Sequence, residues 1–264
     1  MNNISFTFTI NGEEWKACHL ERLEYERNLH ILHQLKQHGI EIKKDGQLLN
    51  DDDIDCLTAK EAWEVSVDVR SAYSGNEIAK YYGESFKRSD ELWKRLPFAQ
   101  DKSMKVSKCH LVVEGLPMQE FMQIMGKMQE DESVLLKSHP EHFTTIVTEK
   151  DIVGIEPFGM YGTPTLVKVN IVDPSQLGAQ IQGDRLPEYP AVMTGRAYLL
   201  DGVTEINTPF HQFRPLSDGF EAELAVYWPE GVPDEIVSGH SLHLAMEFYE
   251  GLKIISDDFC KEKV

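Results

Sequence analysis

The sequence predicts an α+β fold: a curved antiparallel sheet closed by a long C-terminal helix, preceded by a mostly helical region. Three observations predict it. Leucines recur at near-helical spacing in the first hundred residues, β-rich segments separated by Gly, Pro and Asp turns follow Pro97, and Pro233-Asp234-Glu235 opens a last helix.

Ile4, Phe6, Phe8 and Ile10 alternate with polar residues before Asn11-Gly12, so a half-buried strand and a turn open the chain. Leu23, Leu29, Leu32 and Leu35 predict an amphipathic helix over 21–38, stopped by Gly39. Asp51-Asp52-Asp53 caps a predicted helix to about Trp63, and Ser74-Gly75-Asn76 precedes another that reaches Leu96 before Pro97. Residues 106–113 read as a strand, and 118–136 as a helix carrying Phe121, Met122, Met125 and Met128. Strands are predicted over 152–158, 165–172, 189–200 and 220–228. The last helix runs to about Ser256, with proline and acids where a first turn tolerates them. The expected division is a helical region over 1–100 and a main domain over 101–264.

The chain has 264 residues, a formal charge of -18 and a 41% hydrophobic fraction, which suits a globular core. A negative surface field repels phosphate backbones and anionic lipid, so neither nucleic acid nor membrane is an expected partner. Cys18, Cys56, Cys109 and Cys260 are scattered without a C-x-x-C, and the first residues lack a signal-peptide pattern. The expectation is a reduced, cytoplasmic protein. Homo-oligomerisation stays open.

Chemistry is concentrated in "GHSLHLAMEFYEG", residues 239–251. Its start looks like the G-x-S-x-G turn of a hydrolase serine, but that turn needs a strand before it and a small residue after the serine. Here Gly239 falls inside the predicted helix and His243 replaces the second glycine. On a helix, His243 and Glu247 share one face and can reach one cation, with His240 near that face. The spacing alone does not separate a metal site from a solvated pair, since His110 and Glu114 repeat it and Glu26 and His30 reverse it.

Context comes from "SHPEHF" (138–143), "IVGIEPFG" (152–159), "LVKVNIVDPSQLG" (166–178) and "FHQFRPLSDGFEAELAVYW" (210–228), in that order and followed by H-x-x-x-E. Over roughly 105–256 the set resembles the zinc-dependent carbon–carbon bond hydrolases typified by diacetylphloroglucinol hydrolase and phloretin hydrolase. The resemblance implies a Bet v 1-like helix-grip fold with a cavity, and one Zn2+ held by His142, Glu156, His243 and Glu247, a donor set that also admits Mn2+ or Fe2+. It implies His211 as the catalytic histidine, Tyr227 as a phenol at the pocket, and a small-molecule phenolic ketone as substrate. Each residue has a plainer reading: His142 as a surface histidine, Glu156 as an outward acid, His211 as a strand-end histidine, Tyr227 as core aromatic.

The chain departs from that family where a tryptophan-rich helix is replaced by "FMQIMGKMQEDE" (121–132) and where a pocket tyrosine is replaced near Val134. The connection from His142 to Glu156 is also shorter. A methionine-lined wall is polarizable and adaptable, which points to an altered pocket. Two functions are therefore expected as alternatives: hydrolysis of the bond between an aromatic ring and a ketone carbonyl, or a non-catalytic helix-grip binding module for an apolar or phenolic ligand.

Overall fold

A computed structural model describes residues 4–99, 101–128, 132–147, 151–159 and 162–262, the side chains of 127, 128, 132, 145–147, 151, 152 and 257–262 excepted. The elements in order are β1 (Ser5–Ile10), β2 (Glu13–Trp15), α1 (Ala17–Gln37), β3 (Lys43–Lys44), β4 (Gln47–Leu48), α2 (Asp51–Asp55), α3 (Ala59–Ser71), α4 (Gly75–Tyr81) and α5 (Gly83–Arg95). They continue with β5 (Met104–Glu114), α6 (Met118–Met128), α7 (Glu132–Lys137), β6 (Thr144–Val147), β7 (Asp151–Pro157) and β8 (Pro164–Ile171). The chain closes with α8 (Ala179–Gly183), β9 (Ala191–Leu199), β10 (Glu205–Leu216), β11 (Gly219–Pro229) and α9 (Asp234–Glu262).

The fold is α+β. Nine of the described strands form one antiparallel sheet in the order β2-β1-β5-β11-β10-β9-β8-β7-β6. The 29-residue α9 lies against β1, β5 and β11 and also meets α1 and α6. Its helix register explains this: Leu244, Ala245, Phe248, Tyr249, Leu252 and Ile255 recur three and four apart and are all buried. Trp93 of α5 stacks on Trp228 at 5.9 Å, and each indole N–H finds a hydroxyl, Thr165 Oγ1 at 3.2 Å and Ser107 Oγ at 2.8 Å. Buried indoles stay satisfied in this way while their rings fill the core.

The division expected near residue 100 does not separate two sheets, because β1 hydrogen-bonds to β5 and α1 packs on α9. The helices of the first hundred residues do have their own core, built from Ile31, Leu32, Leu35, Ile54, Val65 and Tyr82. Phe143 and Ile155 join it from the sheet side, so β6 and β7 are covered by helices on one face. Burying a side chain the size of Phe143 contributes about 1.5–3 kcal/mol.

Two predicted helices are each broken in two at described residues, and a third, over 118–136, is α6 and α7 with 129–131 outside the described residues. The stretch from Asp51 divides at Thr58, whose side chain caps α3 while Glu61 reaches back to it, and the stretch from Gly75 divides at Tyr82. Five of the described strands lie outside the prediction: β2, β3, β4, β6 and β10. The side chains of Met128 and Cys260 lie outside the described residues; Cys18, Cys56 and Cys109 are free thiols. Among the described residues, no helix is long and apolar enough to cross a membrane.

Candidate metal centre

One face of the sheet from β7 to β11, together with α6 and α9, encloses a cavity of about 560 Å³. Strand alternation sets its lining: Gly154 and Glu156 on β7, Val167 and Val169 on β8, Asn207, Pro209 and His211 on β10, and Val226 on β11. Residue 156 thus points its carboxylate inward, while Ile155 goes to the helical core. His142 and Phe143 divide the same way in the connection before β6. From α9, His240, His243, Leu244 and Glu247 face the cavity at spacings of three and four.

Three imidazoles converge here. His139, His142 and His243 are buried, and each offers a nitrogen within 4.8 Å of the other two, so the cluster could hold a metal ion. His139 stacks on His243 with ring centroids 3.8 Å apart, and His240 stacks on the other side at 4.8 Å. Glu156 Oε2 lies 3.1 Å from His142 Nε2 and 3.8 Å from His243 Nε2. Two ligands about 2.0–2.1 Å from one tetrahedral zinc stand roughly 3.3 Å apart, so the first distance is close to ligand-to-ligand spacing and the second is longer.

The far sides of the rings decide which nitrogen is available. His142 Nδ1 is 3.4 Å from the Leu135 carbonyl, which can only accept, so the proton belongs on Nδ1 and Nε2 keeps its lone pair. His243 Nδ1 faces Glu141 Oε2 at 3.6 Å, beyond hydrogen-bond length. His139 differs. Its Nδ1 accepts the Glu141 N–H at 3.0 Å, which leaves the neutral ring's proton on Nε2. His142 and His243 thus each turn Nε2 toward Glu156, whereas His139 would have to give up a backbone contact to offer Nδ1. Glu247 lines the same wall one helical turn beyond His243.

Burial pushes the pKa of His243 and His139 well below the ordinary value, and the neighbouring imidazoles add to this. Neutral rings are the state that binds metal. Burial also works to lower His142, but the hydrogen bond and charge of Glu156, with the charge of Glu247, lift it above the usual histidine range. For Glu156 burial works upward and the pairing with His142 prevails, leaving it lowered. Glu247 is raised, chiefly by burial. A cation would offset the charge that these two carboxylates bring into a mostly apolar cavity.

His211 lines the cavity from β10, edge-on to Phe248, and burial lowers its pKa to about 4. Its Nδ1 accepts the Ala225 N–H at 3.3 Å, so the neutral ring carries its proton on Nε2. Tyr227 is a correction. The register pairs Pro209 with Val226 and Thr208 with Tyr227, so Val226 shares the cavity face with His211 and Tyr227 takes the opposite one. There its hydroxyl donates to Asp184 Oδ2 at 2.6 Å, and its ring packs on Phe210.

Sequence reasoning did not single out His139, Glu141 or the two arginines behind them. Arg27 of α1 pairs with Glu141, both fully buried. Arg70 of α3 donates from Nη1 to the carbonyls of Leu136, His139 and His142, at 2.8, 3.1 and 2.6 Å. The H-x-x-H spacing in "SHPEHF" was a legible signal for His139; nothing local marks Arg27 or Arg70. No protein-family model matches the chain, and none of the curated proteins matches it in sequence.

Proposed function

We propose that the protein is a metal-dependent hydrolase that cleaves the carbon–carbon bond between an electron-rich aromatic ring and a ketone carbonyl. The carrying observation is that His142 Nε2, His243 Nε2 and Glu156 Oε2 meet on one wall of an otherwise largely apolar cavity. The sheet and C-terminal helix are compatible with a helix-grip scaffold, and the nitrogen and oxygen donors suit Zn2+, with Mn2+ or Fe2+ as substitutes. His142, Glu156 and His243 would hold the ion, with Glu247 as the fourth ligand. A bound divalent ion supplies Lewis acidity toward a carbonyl oxygen or water.

The residues of the chain supply the rest. Met122, Met125 and Val169 give the ring an apolar, adaptable seat. Asn207 offers an amide to a phenolic hydroxyl. His211, neutral and with its proton on Nε2, donates to a substrate oxygen and stabilises charge that develops there. In this tautomer it is a hydrogen-bond donor, so the role of catalytic histidine that the resemblance implies narrows to holding the substrate. In the reaction, a water oxygen bonds to the carbonyl carbon and the bond from that carbon to the ring breaks. The ring carbon keeps the electron pair and gains the proton that water gives up. One ketone and one water become one carboxylic acid and one arene.

Metal analysis by mass spectrometry of the wild type and His243→Ala, followed by a screen of acylphloroglucinols for release of acid and phloroglucinol, tests the proposal. About one metal per chain, lost in the variant, with acid and phenol formed in equal amounts, is the expected result. Metal without product, but with tight ligand binding, would favour the binding module. No bound or rebindable metal would remove the hydrolase reading.

A further inference from the structure

A buried arginine–carboxylate pair is a poor source of stability, because desolvating both charges offsets most of their attraction. Arg27 and Glu141 form such a pair at zero exposure. The position of Glu141 suggests another use. One of its carboxylate oxygens, Oε1, faces Arg27, and the other, Oε2, faces His243 Nδ1 at 3.6 Å. That nitrogen is buried and has no partner at hydrogen-bond length among the described residues. The opposite nitrogen of the same ring, Nε2, is the one that approaches Glu156.

A neutral imidazole has one proton to place. On Nδ1 it points at Glu141 and leaves Nε2 bare for a cation; on Nε2 it blocks that cation. Building on the metal-site reading above, we infer that Glu141, braced by Arg27, is the carboxylate that fixes the tautomer and orientation of His243. Metal-bound histidines commonly donate their other N–H to a carboxylate in this way. Glu141 is itself held from two directions: its own N–H donates to His139 Nδ1, and Arg70 grips the carbonyls of His139 and His142 on either side. The helical N-terminal region thereby becomes the outer shell of the metal centre. Arg27 and Arg70 come from α1 and α3, while the ligands they position come from the sheet side and α9.

The test is the affinity of the full chain for Zn2+ and Co2+, measured by competition with a chromophoric chelator, in the wild type and in Glu141→Gln. The expected effect is a loss of about 10- to 100-fold and an altered visible spectrum of the cobalt form. Because Glu141→Gln removes the carboxylate that faces Arg27, Arg27→Met/Glu141→Gln removes both charges together, and the same loss of affinity is expected there. In parallel, nitrogen-15 NMR of histidine-labelled, metal-free wild type reads the tautomer directly: His243 protonated on Nδ1 and bare on Nε2. Wild-type affinity and an unchanged cobalt spectrum in either folded variant would overturn the inference. So would a His243 proton on Nε2. A wild type that takes up neither ion would overturn the metal-site reading itself, and this inference with it.

Discussion

His142 Nε2 and Glu156 Oε2 stand 3.1 Å apart, joining the connection before β6 to the middle of β7 at the cavity wall. Burial works against a charged His142, but the hydrogen bond and charge of Glu156 outweigh it, so without a metal they favour a second proton on the ring, at Nε2. Metal binding must displace that proton, because the raised pKa of His142 reflects it. Affinity for Zn2+ should therefore keep rising as pH climbs past the ordinary histidine pKa, with proton release visible in calorimetry repeated in buffers of different ionisation enthalpy. His142→Ala should abolish tight binding. A pH-independent affinity would show that the pair does not ligate.

His211 faces the cavity from β10. In His211→Ala, turnover should be lost while metal content stays at the wild-type level. His211→Asn, which keeps an N–H donor, should restore part of kcat if donation to a substrate oxygen is its role. Equal kcat in the wild type and the Ala variant would remove it from the reaction.

Arg70 is buried, and its Nη1 serves three backbone carbonyls. Arg70→Met leaves those acceptors without this donor, which costs on the order of 3 kcal/mol. For a chain of this size that is a fall in Tm of roughly 6 to 12 °C. Arg70→Lys should recover only part of the loss, because an ammonium cannot reproduce the planar fork. Thermal melts in the metal-free state would separate this from any effect of the ion.

Away from the cavity, Glu250 of α9 and Glu24 of α1 share Lys253. Burial, then the charge of Glu24, raises the pKa of Glu250 from 4.5 to about 8. A carboxyl whose folded pKa is raised binds more protons folded than unfolded between those values. Its favourable contribution is complete below pH 4.5 and is lost as pH climbs through 8. Glu250→Gln removes this dependence, so its Tm should exceed the wild type's by more at pH 8 than at pH 5. Parallel Tm curves across that range would contradict the assignment.

Much of the architecture was legible because its signals are local. The period-2 pattern of Ile4 to Ile10 gave β1, and the Ser74 signal gave the start of α4, where Glu77 completes the cap. By contrast, β10 was hidden by Pro209 and Pro215, since proline withholds the N–H that a central strand uses. The Thr58 capping box was present in the sequence but lay inside a stretch already read as one helix. At the site, His142, Glu156, His211, His243 and Glu247 all line the cavity, whereas Tyr227 faces away. Strand parity decides that, and parity cannot be set until the register of β10 on β11 is known. Glu141 and Arg27 were invisible for a related reason: a buried pair between distant segments leaves no periodic trace.

The grip of Arg70 on the ligand-bearing connection also has a meaning in time. The guanidinium and the His142 carbonyl it holds are 72 residues apart in sequence. During synthesis the two arginines leave the ribosome long before anything exists to neutralise or receive them, and α9 follows last. Contacts of such long range form late. Until the final helix docks, the growing chain presents at most part of the proposed donor set, so any choice of metal would fall to the finished protein.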